Sequence, residues 1–283
     1  MGFTVIALGV VLSLVWLATQ MTPSTSAGYI ASVKNSVNAA ASNSSFTCAN
    51  AVALDGGTST KALFAYNLSD ASYANGASAA DASGSNHAGV YEGTGAADPV
   101  TTPVACPRDG TRAYALDGRT NWILGPSAIS PSTFTEEVWF KTSASSGRLI
   151  GFGNAISGLS SESDRQIFVT PTGALAFGVY NLGNDSITSP LAYNDGMWHQ
   201  VVVTFSGSTG SVMYVDGKQV ASNATYNTAR LAIGFWRIGY DNLSGWNSNA
   251  NYYFTGSLRF ATVYNSVLSP AQITNHYTAG IPQ

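Results

Sequence analysis

The carboxylates of this chain are the residues that could do acid–base chemistry, and their spacing argues against glycoside hydrolysis. A glycosidase needs two carboxylates about 5–10 Å apart, one acting as acid and the other as nucleophile or base. On a strand, acids that share a face must stand at alternate positions. Glu136 and Glu137 are adjacent, whereas Glu162 and Asp164 stand in a Ser/Gly-rich segment. We expect both pairs to be solvated and predict no enzymatic activity.

The remaining polar residues suggest no other chemistry. His87, His199 and His276 are scattered, and no Ser or Cys forms a recognisable nucleophile motif. The net charge is −3 and charged residues make up only 10% of the chain. Nucleic-acid binders normally carry a clustered basic face, so nucleic acid is excluded as a partner. The abundance of Gly, Ser, Thr, Asn and Ala is typical of a secreted or surface β protein.

The elements that would position these residues are short β-strands. Residues 198–205 and 212–215 are rich in β-branched and aromatic residues around a Gly/Ser turn, which predicts a hairpin. Asp216 and Gly217 form the pair that tolerates positive φ in a tight turn, so a third strand should follow at residues 218–220. Further strands are predicted at residues 63–66, 134–141, 149–152, 166–169 and 174–180. This spacing predicts an antiparallel β-sandwich.

Four segments of the chain resemble laminin-G-like domains of the concanavalin A-like lectin/glucanase type. They are residues 195–218 (DGMWHQVVVTF followed by MYVDGK), 80–90 (ADASGSNHAGV), 112–123 (RAYALDGRTNWI) and 254–273. The resemblance covers roughly residues 61–280 and implies a mainly β, antiparallel jelly-roll sandwich. It also implies a closing helix, for which Ser269 and Pro270 are a good N-cap and first-turn pair. The Glu-x-Asp-x-x-Glu pattern of the catalytic relatives is absent.

Calcium is the one cofactor that the resemblance suggests. Asp81, Asn86 and Asp117 occupy family loops and carry the carboxylate and amide oxygens that calcium prefers. The alternative is that Asp81 and Asp117 only accept hydrogen bonds within their own turns, as Asp often does.

Aromatic residues in one stretch are the candidates for ligand binding, because saccharide rings stack on exposed indoles and phenols. Trp236, Tyr240, Trp246 and Tyr252 crowd into residues 235–254, around a polar, Gly/Asn-rich insert. The alternative is that several of these rings belong to the core.

Cys48 and Cys106 lack the paired spacing of a zinc site. If the chain is exported, we expect them to form a disulfide, and otherwise two buried thiols. The disulfide would tie the end of the N-terminal segment to the globular domain and stabilise it by about 3–4 kcal/mol.

The N-terminal segment has the length and polarity of a membrane-crossing helix. Residues 3–21 contain no charged side chain, and the first charge is Lys34. About 20 such residues cross a hydrocarbon core. After Pro23, apolar residues recur at three- and four-residue steps, which predicts an amphipathic continuation of the helix.

This arrangement resembles type IV pilins and related pseudopilins. The resemblance implies a long N-terminal hydrophobic α-helix that sits first in the membrane and later in the core of a helical filament made of copies of the chain. A plain membrane anchor and a cleaved signal peptide are the alternatives. The predicted filament-core residues are Phe3, Val5, Ile6, Leu8, Val11, Leu12, Leu14, Trp16 and Pro23.

The sequence therefore predicts three parts: the helix at residues 1–45, a linker at 46–60 and the sandwich at 61–283. The preferred hypothesis is a cell-surface filament subunit, membrane-inserted before assembly, whose head binds surface glycans or proteins. The first alternative is a monomeric, membrane-anchored carbohydrate-binding or adhesion module. A glucanase-like glycoside hydrolase is the least favoured.

Overall fold

Short alternating strands build two antiparallel sheets that stack face to face. The structure, a computed structural model, describes residues 46–56, 62–98, 104–248 and 251–281. The helices of this described part are α1 (Cys48–Gly56) and α2 (Pro270–Gly280), with a 3-10 turn at Pro107–Asp109. The strands are β1 (Ala62–Tyr66), β2 (Ser78–Ala79), β3 (Gly89–Glu92), β4 (Ala96–Ala97), β5 (Tyr114–Asp117), β6 (Trp122–Ile129), β7 (Phe134–Lys141), β8 (Arg148–Gly153), β9 (Ser163–Val169), β10 (Ala174–Tyr180), β11 (Asn184–Ala192), β12 (Trp198–Ser206), β13 (Gly210–Val215), β14 (Lys218–Asn223), β15 (Ile233–Ile238) and β16 (Thr255–Tyr264).

Each of the two sheets has eight strands. Sheet 1 has the order β14-β13-β12-β7-β16-β5-β4, with β1 also paired to β16, and sheet 2 has the order β11-β10-β9-β8-β15-β6-β3-β2. Alternate side chains of both sheets fill one apolar core between them. The predicted antiparallel sandwich is confirmed. Its core includes Phe64, Phe134, Phe140, Ile150, Phe152, Ile167, Phe177, Val201, Phe205, Trp236 and Val263.

The predicted three-stranded meander is also confirmed, in β12, β13 and β14. Val202 pairs with Tyr214, which places β12 and β13 in the expected antiparallel register. Asp216 and Gly217 form the next turn with φ angles of 52° and 74°. Both residues therefore occupy the left-handed region that a tight two-residue hairpin turn requires.

Helix α2 covers the outer face of sheet 1. Ser269 caps it: the Gln272 backbone N–H donates to Ser269 Oγ at 3.3 Å, and the Ser269 N–H donates to Gln272 Oε1 at 2.8 Å. Ile273 is buried with Leu268, Val202 and Tyr264 beneath the helix. The predicted cap and closing helix are confirmed.

Helix α1 lies where the sequence predicted a linker. Ala51 and Val52 are buried with Trp139 and Phe260 on the outer face of sheet 1. The helix has nine small or weakly polar residues, CANAVALDG. So short a helix is stabilised mainly by tertiary packing, which explains why no periodic pattern revealed it. The globular fold therefore begins before residue 61.

The predicted disulfide is confirmed and fixes α1 to the sandwich. Cys48 and Cys106 are bonded, with their Cα atoms 5.8 Å apart. The Cys48 backbone N–H also donates to Asp109 Oδ2 at 2.8 Å. Arg259 of β16 holds the same loop by donating to the carbonyl oxygens of Ala105, Cys106, Asp109 and Gly110.

A buried ionic network joins α1, α2 and sheet 1. His276 Nδ1 lies 2.8 Å from Glu137 Oε2, and His276 Nε2 lies 3.0 Å from Asp55 Oδ2. Gln200 Nε2 and the Tyr264 hydroxyl donate to the Glu137 carboxylate at 2.7 and 3.1 Å. Burial alone would lower the pKa of His276, but Glu137 and Asp55 outweigh it and raise the pKa to about 9. The ring is therefore charged at neutral pH and links two helices to the sheet.

The prediction that Glu136 and Glu137 are solvated was wrong. Both are buried: Glu137 lies in this network, and Glu136 lies on the opposite, core-facing side of β7. Burial raises the pKa of Glu136 well above its ordinary value, although Arg148 and Arg165 oppose the shift. The alternation of β7 correctly indicated that Glu136 and Glu137 lie on opposite faces of the sheet. It could not show that α2 covers the outer face and so buries Glu137.

The predicted N-terminal helix, with all its predicted filament-core residues from Phe3 to Pro23, lies outside the described residues. Within the described ranges, no helix has the length and apolar character needed to cross a membrane.

His276→Gln should reduce stability most at about pH 6.5 and progressively less as the pH rises through about 9. A histidine whose folded-state pKa is raised stabilises the fold below its unfolded pKa of about 6.5, and this contribution is lost as pH rises through about 9. We expect the wild-type unfolding free energy to fall by about 3 kcal/mol more than that of the variant between pH 6.5 and 9.5. Urea unfolding at several pH values measures this difference.

The control is His87→Gln, because His87 is exposed and its Nδ1 lies 2.7 Å from the Leu63 carbonyl oxygen, so its ring bonds to β1 and not to Glu137. Its profile should follow the wild type. Parallel profiles for His276→Gln and the wild type would show that the buried ring does not carry the charge.

Candidate functional site

The segment after β15, residues 239–248, crosses the outer face of sheet 2 and is held there by Asp241. This side chain is fully buried, and its carboxylate accepts hydrogen bonds from Ser160 N at 2.8 Å and Ser160 Oγ at 2.7 Å. Arg148 Nη1 lies 3.0 Å from Asp241 Oδ2, and Arg237 Nη1 lies 3.4 Å from Oδ1. Burial lowers the pKa of Arg148 to about 10, and Asp241 opposes that shift. Removing one partner of such a pair costs about 3–5 kcal/mol, so Asp241 fixes the segment firmly.

The segment can lie against the sheet because two residues beneath it are glycines and have no side chain. A Cβ atom on Gly153 would lie 2.2 Å from Asp241 Oδ2, and one on Gly178 would lie 2.0 Å from Trp246 Cζ3. Any larger residue at either position would therefore force the segment away from the sheet.

The Trp246 ring packs directly over Gly178. It is 8% exposed and packs with Phe168, Ala176 and Leu243 in an apolar cluster on the outer face of sheet 2. Its ring meets that of Phe168 edge to face, with centroids 6.4 Å apart. Trp246 is thus rigidly placed, with a small part of its surface left uncovered.

A polar cleft of about 260 Å³ opens beside Trp246, and we refer to it as the Trp246 cleft. Its lining combines two aromatic rings, hydroxyls, amides and one pair of opposite charges. The lining residues are Ser161, Glu162, Ser163, Tyr180, Asn184, Arg230, Asn242, Ser244 and Trp246.

The charged pair of the cleft is held in place from several sides. Arg230 Nη1 lies 3.0 Å from Glu162 Oε1, and the two side chains are 31% and 50% exposed. The Arg230 guanidinium lies over the Tyr180 ring, 4.9 Å from its centroid. The Arg230 backbone N–H donates to Tyr180 O at 2.9 Å, and the Glu162 backbone N–H donates to Asn154 Oδ1 at 3.2 Å.

Asp164 lies beneath the cleft and is not solvated, contrary to the sequence prediction. It is buried and forms an ion pair with Arg165, and its Oδ1 accepts a hydrogen bond from Tyr180 N at 2.7 Å. Burial raises the pKa of Asp164, although Arg165 opposes the shift. Glu162, the other member of the predicted pair, is exposed as expected. The two acids therefore have different environments, and the absence of enzymatic activity stays a prediction.

Of the four aromatic residues predicted to bind a ligand, Trp246 is the one that lines the cleft. Trp236 is fully buried in the core between the sheets, so the prediction for this residue was wrong. Tyr240 is 9% exposed and stacks on Tyr253 with ring centroids 3.7 Å apart. Tyr252 is partly buried beside the Trp246 cluster.

Sequence reasoning missed most of the polar side of the cleft. Tyr180, Asn184 and Arg230 come from strands and loops far from Trp246 in the chain, and no local pattern joins them. Asn242 and Ser244 did fall within the polar insert that the sequence singled out.

The loop acids predicted to bind calcium accept backbone hydrogen bonds within their own turns, and Asp81 also accepts one from β1. Asp81 Oδ1 accepts from the backbone N–H groups of Ala65 and Ser83, both at 2.9 Å, and Oδ2 accepts from that of His87 at 2.9 Å. Asp117 accepts from the N–H groups of Arg119 and Thr120. These bonds correspond to the alternative interpretation of both residues.

Asp81 and Asp117 also lie too far apart to share one ion. Asp81 bridges to Tyr66, which pairs with Ala261, whereas Asp117 pairs with Thr255. Six residues of β16 separate these points, or about 20 Å at the rise of an extended strand. Calcium binding itself stays a prediction.

Among the described His, Cys, Asp and Glu side chains, one group of three is close enough to hold a metal ion: Cys48, Cys106 and Asp109. Both sulfurs of this group are joined in the disulfide, so it is not a metal site.

Residues 116–274 match a family model, that of the concanavalin A-like lectin/glucanases superfamily. A search of curated proteins gives no match to the chain.

Several solved structures share the fold at low sequence identity. Domain 4 of AbnA, an extracellular arabinanase from Geobacillus stearothermophilus in complex with arabinotriose, has a TM-score of 0.50 and 14% identity, covering 76% of this chain and 98% of that domain. The binding domain of Paraclostridial Mosquitocidal Protein 1 has a TM-score of 0.55 and 11% identity, covering 77% and 52%. The binding domain of botulinum neurotoxin DC, in complex with rat synaptotagmin II, has a TM-score of 0.54 and 12% identity, covering 77% and 51%. The chain thus spans about half of each toxin domain.

Gly178→Ala should displace Trp246 and destabilise the protein. The added methyl group would lie 2.0 Å from the indole, so the ring must leave its place over the sheet. We expect a loss of about 1–3 kcal/mol in unfolding free energy and a changed tryptophan emission spectrum. Urea unfolding followed by fluorescence measures both.

The matched control is Gly183→Ala, because a Cβ atom on Gly183 meets nothing within 4 Å. It should change stability by less than about 0.5 kcal/mol. Equal stabilities for the two variants would contradict the packing of Trp246 described above.

Proposed function

Because the chain belongs to the concanavalin A-like lectin/glucanases superfamily, we propose that it is a carbohydrate-binding adhesion module that binds a saccharide in the Trp246 cleft. The observation that carries this proposal is the composition of the cleft: aromatic rings beside hydroxyl, amide, guanidinium and carboxylate groups. A sugar presents C–H groups that pack on aromatic faces and hydroxyls that both donate and accept hydrogen bonds.

The size and rigidity of the cleft support the same function. A volume of about 260 Å³ is near the low end of small-molecule sites, which suits one or two sugar units. The backbones of Arg230 and Glu162 are both hydrogen-bonded to neighbouring segments. A preformed site loses less conformational entropy when a ligand binds.

We propose binding without catalysis. Glu162 is exposed at the cleft, but the nearest acid in the chain, Asp164 of β9, is buried and paired with Arg165. A glycosidase would need a second carboxylate able to reach the same glycosidic bond. The saccharide complex of AbnA domain 4 adds support by analogy of fold alone.

Trp246→Ala should weaken saccharide binding at least tenfold. The substitution removes the apolar wall of the cleft, and a tenfold loss of affinity corresponds to about 1.4 kcal/mol of binding free energy. Glycan-array binding of the full chain measures this loss. Trp198→Ala is the control, because Trp198 is partly exposed on sheet 1 and should leave binding unchanged. If binding survives in Trp246→Ala, the Trp246 ring is not part of the binding site.

We also propose that residues 1–45 assemble the chain into a surface filament that displays this head. The support is the uncharged stretch at residues 3–21 and its amphipathic continuation. Packing that stretch against copies of itself would remove it from both lipid and water. The Cys48–Cys106 disulfide supports export, since disulfides persist in oxidising compartments. The rival is a monomeric, membrane-anchored module of the same binding function.

Electron microscopy of sheared cell-surface material should find this chain in filaments. Antibody labelling of the head identifies the subunit, and replacing Val5 and Leu8 by Asp should abolish the filaments because it places charges in the predicted fibre core. The control is Ser222→Asp on the exposed part of β14, which lies outside the predicted N-terminal helix. A chain found only in detergent extracts would contradict the filament proposal.

A further inference from the structure

The charges around the Trp246 cleft restrict the class of saccharide that it takes. Arg230 and Glu162 form a pair of opposite charge, and Asp164 beneath them is paired with Arg165. The site therefore has no net charge among these four groups. A ligand carboxylate that accepts from the remaining N–H groups of Arg230 would lie close to the Glu162 carboxylate, and the two like charges would repel each other. Uncharged ligands avoid this cost.

The Arg230–Glu162 pair itself is well suited to exchange contacts with a ligand. Both side chains are about one-third to one-half exposed, and such exposed pairs contribute only about 0–1 kcal/mol. The guanidinium can only donate hydrogen bonds, and the carboxylate can only accept them. Side by side, with 3.0 Å between Arg230 Nη1 and Glu162 Oε1, they present one donor and one acceptor to the cleft.

A pair of neighbouring sugar hydroxyls complements this arrangement. One hydroxyl can accept from the guanidinium while the adjacent one donates to the carboxylate, and both bonds are charge-assisted. The ion pair between Arg230 and Glu162 stays intact in this arrangement. Other polar groups remain available: within the described part of the chain, the hydroxyls of Tyr180 and Ser244 and Oδ1 of Asn184 have no protein partner.

We infer that the Trp246 cleft binds an uncharged saccharide and holds two of its neighbouring hydroxyl groups between Arg230 and Glu162. The inference rests on the proposed saccharide-binding function and adds the ligand class and the two residues that select it. Arg230 is kept in place by the Tyr180 ring and by its own backbone, whose carbonyl oxygen accepts from Arg165 Nη1 at 3.0 Å. The donor is therefore oriented before the ligand arrives.

Matched pairs of sugars and the variant Glu162→Gln test the inference. The probes are the methyl glycosides of glucose, galactose and mannose, each compared with the methyl glycoside of its uronic acid, which differs by a carboxylate at C6. Dissociation constants are measured by saturation-transfer NMR on the full chain, in a detergent without a sugar headgroup. The control is Glu92→Gln on β3, near the other edge of sheet 2.

We expect at least one uncharged glycoside to bind more tightly than its uronic acid counterpart. Glu162→Gln should weaken that binding about tenfold, because a neutral acceptor replaces a charge-assisted one. Arg230→Gln should weaken it similarly, and Glu92→Gln should leave it unchanged. Glu162 is half exposed and Gln has the same shape, so the variant should fold normally, which thermal unfolding verifies.

The opposite order of affinities, with the uronic acids binding more tightly than the uncharged glycosides, would overturn the inference. If the uronic acids bind more tightly and Glu162→Gln strengthens them, the cleft selects anionic sugars, while the proposed saccharide-binding function stands. Uncharged glycosides whose binding is insensitive to Glu162→Gln and Arg230→Gln but is lost in Trp246→Ala would also overturn it and leave that function intact. If no glycoside of either kind binds, the proposed function fails together with the inference.

Discussion

The buried carboxylate of Asp241 is the interaction on which the candidate site depends. It neutralises Arg148 and Arg237 and binds Ser160, all on the outer face of sheet 2. Two buried guanidinium groups without a counter-ion would be very costly, so the segment that carries Asp241 cannot lift off the sheet cheaply. Trp246, five residues later, is thereby held over Gly178 as one wall of the cleft.

The two outer faces of the sandwich are used differently. On sheet 1, α1 and α2 cover the sheet, and the charged ring of His276 between Asp55 and Glu137 ties both helices to it. On sheet 2, a single loop segment covers part of the face and leaves the Trp246 cleft open beside it. The disulfide and the helices stabilise the sheet 1 side, whereas the proposed binding cleft lies on the sheet 2 side.

Local signals in the sequence predicted much of the fold. The Asp216–Gly217 turn, the cap at Ser269 and the strand alternation each depend on neighbouring residues, and the structure confirms them. Helix α1 was missed because its nine residues are stabilised by burial against Trp139 rather than by their own pattern. The burial of Glu137 was missed for the same reason, since a helix far along the chain covers it.

The candidate site was harder to predict because it is assembled from distant residues. Trp236 and Trp246 looked alike in the sequence, yet the first lies inside the core and the second lies on the outer face. Their difference depends on whether each falls in β15 or in the loop after it. Arg230 and Glu162 meet only because β9, β10 and the segment before β15 converge, and no short-range pattern records that contact.

The measurement that tests saccharide binding at this site most directly is an NMR titration of the tryptophan indole N–H signals with an uncharged methyl glycoside, assigned through Trp246→Phe. Ligand in the cleft should shift the Trp246 signal and leave those of the buried Trp236 and Trp139 unchanged. Saturable shifts at another tryptophan, with Trp246 unmoved, would contradict the account.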